Sequence, residues 1–412
     1  MRAVSRRSLL RGLAALPAMP GLVRAETREP IRIGVLAPLT GGGAPYGADI
    51  VKASHLAADQ INAVGGVLGG RRIALFVEDD ETSATAAVRA ARKLLDIDKV
   101  IAVTGLWGSA PLLAVRPLTL EKNVVLTTLA SADEATEGNT RGLVWRFQAR
   151  ASDWGEPAAR CILKGGYKKI GLLRLQNPFV NSVTSRFLQS IEERGGKVVS
   201  NVEFKPDQPS YRAEIEKVYA AEPEAVFVPC YINQFTPISK EIYRGGYKGK
   251  VLTLTIAASA GIDGSGAFVK SVGKEVAEGI EHVQPISPLD RPEYKMFVKA
   301  LGAPDGTVFP FAALQYDAIN ILAVAIEKAR SANPIDFAHE IVVVANGPGT
   351  RVATGPEALP LVRKGETIDF SGAGQDIRFD ARGELIGRPF LHQVIRDGRD
   401  LILEAVASAT GD

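Results

Sequence analysis

The 412-residue chain has 46% hydrophobic and 23% charged residues, a balance typical of globular proteins, which excludes a long disordered tail. Five arginines precede Glu26, and the rest of the chain is nearly neutral, which excludes the broad basic surface of a nucleic-acid-binding protein. The two cysteines and four histidines show no metal-ligand or redox spacing, so neither a metal nor a cofactor is expected.

Residues 1–25 have the pattern of an export signal. Arg6 and Arg7 directly precede Ser-Leu-Leu, and an apolar stretch at 13–23 leads to the small residue Ala25. Basic, apolar and cleavage regions in this order predict a signal peptide, and the paired arginines resemble the twin-arginine type. An ordinary secretory signal stays open as the alternative. Since the apolar run is shorter than the ~20 residues that a membrane span needs, both predict a periplasmic protein.

The body of the chain alternates strand and helix patterns, so the fold class is predicted to be α/β. The first half predicts strand, helix, strand, helix and strand at 31–37, 50–64, 72–77, 84–95 and 100–104. The same order restarts at 169–175, 182–194, 197–204, 211–220 and 225–229. This repetition predicts two lobes, each a parallel sheet sandwiched by helices. Folding before export also predicts that the thiols of Cys161 and Cys230 are free.

Three segments are candidates for crossings between the halves, namely 145–152, the proline-rich 282–292, and 385–389. Three crossings make each lobe discontinuous and form a hinge. Lobe 1 is predicted to comprise 31–147 plus 283–386, and lobe 2 to comprise 148–282 plus 387–412. Ligands of open α/β sheets bind beyond the carboxyl ends of the strands, so a site is expected in the crevice between the lobes.

Motifs for catalysis are weak. The glycine-rich turn at 40–47 lacks the spacing of a phosphate-binding loop, and no serine stands in a hydrolase motif. The acidic run at 78–81 is interpreted as a solvated loop, with acid–base chemistry as the alternative. Ser109 is a helix N-cap after a predicted strand, which favours an anion such as a carboxylate, or caps the helix without any ligand. We therefore predict a binding protein and not an enzyme.

A longer pattern resembles the type I periplasmic solute-binding proteins of ABC importers, of the branched-chain amino acid class. The matching segments run in order from 31 to 403 and include 31–41, 46–47, 57–66, 77–80, 90–95, 316–318 and 379–383. The resemblance implies a two-lobed clamp with three hinge crossings that closes on a ligand without catalysis. It also implies a protein that captures a small amino acid or related carboxylate and delivers it to a permease in the inner membrane. We expect this protein to be a monomer.

The resemblance assigns site residues one by one. Ser109 and the pair Ala130 and Ser131 match positions that hold the ligand carboxylate in the family, with Ser131 in place of a threonine. Tyr46 and Tyr231 match tyrosines that border the ligand, and each is alternatively a core or rim aromatic. Together these residues predict a ligand-binding site in the crevice.

Two departures put an amino-acid ligand in doubt. Asn177 and Phe179 stand in a loop where the family usually has Asp-x-x-Tyr-Gly, and both are candidate ligand contacts. After the strand at 251–255 the family's amino-acid binders place an acid for the ammonium group, but here no carboxylate precedes Asp263. Trp107 replaces a smaller residue and is expected to cap an apolar or aromatic ligand body.

The ligand is therefore predicted to be a small carboxylate or amide with an apolar or aromatic body. An amino acid stays open as the alternative if Asp263 or Glu78 reaches the pocket. A ligand-sensing protein for amides, urea or aromatic carboxylates that partners a membrane receptor is the other class left open.

Overall fold

The computed structural model describes residues 28–261, 264, 266–286 and 288–406, so the predicted signal peptide and Asp263 lie outside the described residues. The strands are β1 Ile31–Ala37, β2 Ile73–Asp79, β3 Ala102–Leu106, β4 Val125–Thr128, β5 Val144–Arg146, β6 Lys169–Leu175, β7 Lys197–Phe204, β8 Ala225–Val228, β9 Lys250–Leu254, β10 Glu281–Pro285, β11 Thr350–Val352, β12 Ile368–Phe370, β13 Phe390–Arg396 and β14 Arg399–Val406. The helices are α1 Ala44–Ala63, α2 Ala84–Arg92, α3 Ser109–Glu121, α4 Ser152–Lys164, α5 Pro178–Glu193, α6 Arg212–Tyr219, α7 Ile232–Arg244, α8 Ala267–Val272, α9 Lys274–Ala277, α10 Pro292–Ala300, α11 Ala312–Ala329, α12 Pro334–Asn346 and α13 Gly355–Arg363.

The first lobe is built on a parallel sheet with the strand order β2-β1-β3-β4-β5. Its strand β1 is almost wholly buried, as expected for a strand with helices on both faces. Side chains alternate between the faces, so Val35 lies in the core cluster that contains Ile50 of α1, whereas Leu36 lies in the cluster that contains Ala87 and Leu94. The prediction of a sheet sandwiched by helices is confirmed.

The second lobe is built on a larger sheet with the strand order β14-β13-β10-β9-β8-β6-β7. Strands β6 to β10 pair in parallel, whereas β13 pairs antiparallel with both β10 and β14. The sequence patterns did not predict this C-terminal hairpin. The predicted thiol state is confirmed, because Cys161 and Cys230 are free and buried.

One predicted lobe boundary needs a shift of three residues. The boundary between 282 and 283 cuts β10, which pairs along its whole length with β13 of the second sheet. Val283 also pairs with Leu254 of β9, so the strand belongs to that sheet. The crossing therefore begins at Ile286, whose N–H donates to the carbonyl of Pro389 at 2.9 Å. The rest of the lobe division stays a prediction.

Within the described part of the chain, no helix is both long and apolar enough to cross a membrane.

Candidate functional site

A cluster of aromatic side chains fills the crevice at the carboxyl ends of the two sheets. It surrounds a cavity of about 20 Å³, which has room for about one water molecule. The residues that line the cavity are Trp107, Ser109, Leu129, Ser131, Trp154, Phe179, Tyr231, Ile256 and Phe311. Since seven of the nine follow strands of the first or the second sheet, the cavity lies between the lobes, where open α/β sheets bind ligands.

Trp107 is the centre of this aromatic cluster. It follows β3, and its ring centroid lies 5.3 Å from that of Tyr231, which comes from the second lobe. Tyr46 and Phe311 pack against it at 5.4 and 5.8 Å. Such centroid distances are those of favourable aromatic pairs, so these contacts stabilise a closed arrangement of the lobes.

The second lobe contributes two more aromatic rings to the cavity. Phe179 stacks on Tyr231 at 6.3 Å, and Trp154 meets Phe179 edge to face at 5.6 Å. The buried indole Nε1 of Trp154 has no hydrogen-bond partner within the described residues. A buried donor without a partner is costly, so this N–H is available to a polar group of a ligand.

Two serine hydroxyls are the polar groups of the opposite wall. The Oγ of Ser109, at the start of α3, accepts the N–H of Ala132 at 3.0 Å, which leaves its own hydrogen free to donate. The Oγ of Ser131 makes no hydrogen bond in the described part of the chain, although the residue is nearly buried. Both hydroxyls can therefore donate to a carboxylate.

A buried ion pair holds the loop that carries Ser131. Arg146 donates from Nη1 to the carbonyls of Ser131 and Ala132, both at 2.6 Å. Its Nε and Nη2 donate to the two carboxylate oxygens of Glu384 at 2.6 and 2.5 Å. Both side chains are buried, so the guanidinium fixes the loop and does not reach the cavity as a charge.

The predicted site residues separate into two groups. Trp107, Ser109, Ser131, Phe179 and Tyr231 line the cavity. The other three predicted residues do not line the cavity, namely Tyr46, Ala130 and Asn177.

Each residue of this last group has a structural role. Tyr46 lies in α1 and packs against Trp107 and Phe311. The N–H of Ala130 donates to Thr128 Oγ1 at 3.0 Å, and the Asn177 side chain caps α5 by accepting the N–H of Phe179 at 2.8 Å. Whether any predicted residue binds a ligand stays a prediction.

Sequence reasoning missed Leu129, Trp154, Ile256 and Phe311. Leu129 directly follows β4, and Ile256 comes two residues after β9. Both could have been predicted, because ligands of α/β sheets bind beyond the carboxyl ends of the strands. Trp154 and Phe311 follow crossings between the lobes, and no spacing in the sequence shows that these positions return to the crevice.

Within the described residues, no charged side chain lines the cavity. Glu78, one of the two acids considered for an ammonium group, pairs with Lys93 instead. The other, Asp263, lies outside the described residues.

Asp80 is the buried acid at the end of β2. Its Oδ1 accepts the N–H of Thr82 at 2.7 Å, and its Oδ2 has no partner among the described residues. Burial raises the pKa of Asp80 to about 7, with a further increase from the charge of Asp79.

The substitution Asp80→Asn is expected to stabilise the protein above pH 7. A folded-state pKa above the unfolded value means that the stability contribution of Asp80 is present at low pH and is lost as the pH rises to about 7. We expect a gain of roughly 2–4 kcal/mol at pH 8, which shrinks towards pH 4, in urea unfolding at both pH values.

Asp79→Asn is the matched control. Although burial raises the pKa of Asp79, hydrogen bonds from Thr40, Glu81 and Leu39 lower it overall. Ionised Asp79 therefore contributes stability above its unfolded pKa, and Asp79→Asn is expected to destabilise the protein at pH 8. Equal effects of the two substitutions would contradict this assignment.

A larger cleft lies elsewhere on the second lobe. Its volume is about 660 Å³, and its lining includes Tyr243, Tyr247, Lys250 and Glu275. It lies at the amino ends of β9 and β10, opposite the ends where α/β sheets bind ligands, so we place the site in the smaller cavity.

The chain is similar to known proteins in both sequence and fold. Residues 30–393 match the family model described as periplasmic binding protein. The Leu/Ile/Val-binding protein BraC3 of Rhizobium johnstonii is 26% identical over 373 residues, which cover 89% of this chain and 94% of that protein. An amino acid binding protein of Pseudomonas aeruginosa is 24% identical, with 80% of this chain and 87% of that protein covered.

Solved structures show the same fold. The leucine binding protein LivK from Thermotoga maritima matches with a TM-score of 0.76 at 23% identity, covering 91% of this chain and 98% of that chain. A solute binding protein of an ABC transporter from R. palustris, in complex with benzoate, matches with a TM-score of 0.73 at 19% identity, covering 93% and 98%. The chain belongs to the periplasmic binding protein family, as a type I protein of the branched-chain amino acid class.

Proposed function

We propose that the protein is the substrate-binding component of an ABC importer and captures a small carboxylate with an aromatic or apolar body. The observation that carries this proposal is the cavity between the lobes, where aromatic rings surround two serine hydroxyls and none of the described lining residues is charged. The hydroxyls of Ser109 and Ser131 bind the carboxylate, and the indole N–H of Trp154 donates to a second polar group. Trp107 and Tyr231 contact the body of the ligand from opposite lobes.

The absence of a charged group among the described lining residues argues against a zwitterion. An ammonium group that is buried without a counter-charge loses its hydration and gains no ion pair in return. Neighbours in structure include proteins solved with benzoate, 4-hydroxybenzoate and 3,4-dihydroxy benzoic acid. They support an aromatic carboxylate as the ligand class.

A branched-chain amino acid is the second candidate ligand. It is favoured by the curated relatives, several of which are named Leu/Ile/Val-binding proteins. An acid beyond the described lining, such as Asp263, would have to reach the ammonium group in this case.

Ligand entry requires the lobes to separate, because the cavity holds about one water in this closed conformation. Opening breaks the contact between Trp107 and Tyr231, whose centroids are 5.3 Å apart. A ligand ring that inserts between the two side chains replaces their contact with two new aromatic contacts. Hinge closure then excludes water from the carboxylate and strengthens its hydrogen bonds.

A thermal-shift panel on refolded, ligand-free protein tests the proposal. Benzoate, aliphatic carboxylates, benzamide, urea and leucine are compared, since a ligand at 100 times its Kd adds about 2.7 kcal/mol of stability. We expect benzoate-like carboxylates to raise the Tm, and benzamide and leucine to have much smaller effects. A shift with leucine alone would reject the proposed ligand class in favour of the second candidate.

Ile256→Asp is expected to change ligand selection. Ile256 lines the cavity just after β9, close to where the family's amino-acid binders carry an acid. A carboxylate there repels a carboxylate ligand and offers a partner to an ammonium group. We expect at least tenfold weaker benzoate binding, about 1.4 kcal/mol, together with a gain in leucine binding, by isothermal titration calorimetry.

Ile256→Asn is the control for Ile256→Asp, because it has nearly the same shape without the charge. If Ile256→Asn gains leucine binding as well, the added charge is not the cause.

The proposed role in the cell includes export, a monomeric state and docking to a membrane partner. The protein is exported to the periplasm by the twin-arginine route, acts as a monomer without catalysis, and docks to an inner-membrane permease. Recovery of the bound ligand chemically unchanged after denaturation would support a binding protein, and a mass near one chain in light scattering would support the monomer.

A further inference from the structure

A cysteine meets a histidine and a glutamate of the C-terminal hairpin, both far from it in the sequence, on the second lobe and away from the ligand cavity. Cys161 lies in α4, His392 in β13 and Glu404 in β14. One ligand atom from each, namely the thiol sulfur, a ring nitrogen and a carboxylate oxygen, lies within 4.8 Å of the other two. We propose that these three side chains bind a divalent cation of the zinc class.

The orientation of the imidazole is the strongest observation. Its Nε2 lies 2.9 Å from the Glu281 carboxylate, which can only accept, so Nε2 carries a hydrogen. Its Nδ1 is buried, has no hydrogen-bond partner among the described residues, and lies 3.7 Å from Glu404 Oε1. The His392 side chain is only 7% exposed, so a ligand bound between Nδ1 and Glu404 Oε1 would be largely shielded from water.

The hydrogen bond of His392 to Glu281 is the kind that supports a metal-binding histidine. A metal-ligating histidine usually donates its other ring N–H to a carboxylate, as His392 does to Glu281. Lys250 pairs with the same carboxylate at 2.7 Å and holds it in place. Glu281 is therefore a positioning residue, and the proposed ligands are His392 Nδ1, the Cys161 thiol and the Glu404 carboxylate.

The distances suit a tetrahedral ion. Zinc with bonds of about 2.0–2.3 Å separates its ligand atoms by about 3.3–3.8 Å. The gap of 3.7 Å between His392 Nδ1 and Glu404 Oε1 lies in this range. The thiol sulfur lies within 4.8 Å of one ligand atom of each of the other two residues, so it has to move closer by up to about 1 Å. A mixed set of sulfur, nitrogen and oxygen ligands favours zinc over the hard cations magnesium and calcium.

The fold supports this arrangement and gives access to it. His392 and Glu404 are direct cross-strand partners beside a bulge in the hairpin, a feature that re-aims side chains near functional sites. Lys164 pairs with Glu404 through Oε2, which leaves Oε1 free to face His392. A surface cleft of about 390 Å³, lined by Arg160, Lys164, Arg194 and Glu404 among others, reaches the Glu404 member of the cluster from solvent.

The test uses the mature chain without an affinity tag, stripped of metal with a chelator. We expect one Zn²⁺ per chain in calorimetric titration, no response to Mg²⁺ or Ca²⁺, and a thiolate-to-cobalt charge-transfer band when Co²⁺ is added. Glu281→Gln should weaken Zn²⁺ binding 10–100-fold and leave the stoichiometry unchanged.

Cys161→Ser should abolish the cobalt band, whereas Cys230→Ser is the matched control and should leave it intact, because the buried Cys230 lies outside the cluster. If Cys161→Ser does not fold, alkylation of the unaltered protein answers the same question, since Zn²⁺ should slow modification of Cys161 and not of Cys230. No stoichiometric Zn²⁺ binding, or binding that is unchanged by both Cys161→Ser and His392→Gln, would overturn the proposal.

Discussion

Glu384→Ala is expected to lower the free energy of unfolding by about 3–5 kcal/mol, because it leaves Arg146 as a buried charge without its partner. Arg146 is fully buried and forms two hydrogen bonds with Glu384. The Thr136 hydroxyl, which donates to the same carboxylate, loses its acceptor as well. Urea unfolding monitored by circular dichroism measures the loss.

Two comparisons separate the effect of an unpaired buried charge on stability from the effect of losing an ion-pair contact. Glu216→Ala removes the exposed partner of Arg212 and is expected to change stability by no more than about 0.5 kcal/mol. The double substitution Arg146→Met with Glu384→Leu is expected to be less destabilising than Glu384→Ala alone, since no unpaired charge remains. A Glu384→Ala loss as small as that of Glu216→Ala would show that water reaches Arg146.

Ser109→Ala combined with Ser131→Ala is expected to weaken benzoate binding at least 100-fold. Each hydroxyl is proposed to donate to the ligand carboxylate, and a hydrogen bond to a charged group contributes about 1.5–3 kcal/mol. The loss of both therefore corresponds to about 3 kcal/mol or more. Isothermal titration calorimetry on the refolded protein measures the change in Kd.

The serine variants also need a stability control, because Ser109 Oγ accepts the N–H of Ala132. Ser190→Ala serves this purpose, since the Ser190 hydroxyl is buried in α5 without a partner among the described residues and lies outside the cavity lining. It should leave the benzoate Kd unchanged. An unchanged Kd in the double variant that still folds would mean that the carboxylate binds elsewhere.

The sequence predicts the regular parts of the fold because they follow local periodicity. The apolar run of β1 and the helical spacing of α1 are both found in the structure, although α1 begins at Ala44 and therefore includes Tyr46. The hairpin β13–β14 escaped prediction because its pairing with β10 depends on residues that are far apart in the sequence. Periodicity carries no information about such pairing.

The residues of the candidate site likewise divide into those that local sequence predicts and those that it does not. Residues that directly follow a strand, such as Trp107 and Tyr231, are predictable because the carboxyl ends of parallel strands meet at one edge. Trp154 and Phe311 reach the cavity only because the chain crosses between the lobes and returns. The cluster of Cys161, His392 and Glu404 was missed for the same reason, since its members lie on three elements and share no sequence spacing.

The C-terminal hairpin determines when the second lobe can finish folding. Strands β13 and β14 are the last strands of the described residues, yet they extend the sheet that begins with β6 and cover the edge of β10. During synthesis, β10 therefore emerges from the ribosome with an unpaired edge, and it keeps this edge until the hairpin follows. A nascent chain held before Phe390 should consequently bind chaperones at this edge, whereas the first sheet is already complete at Arg146.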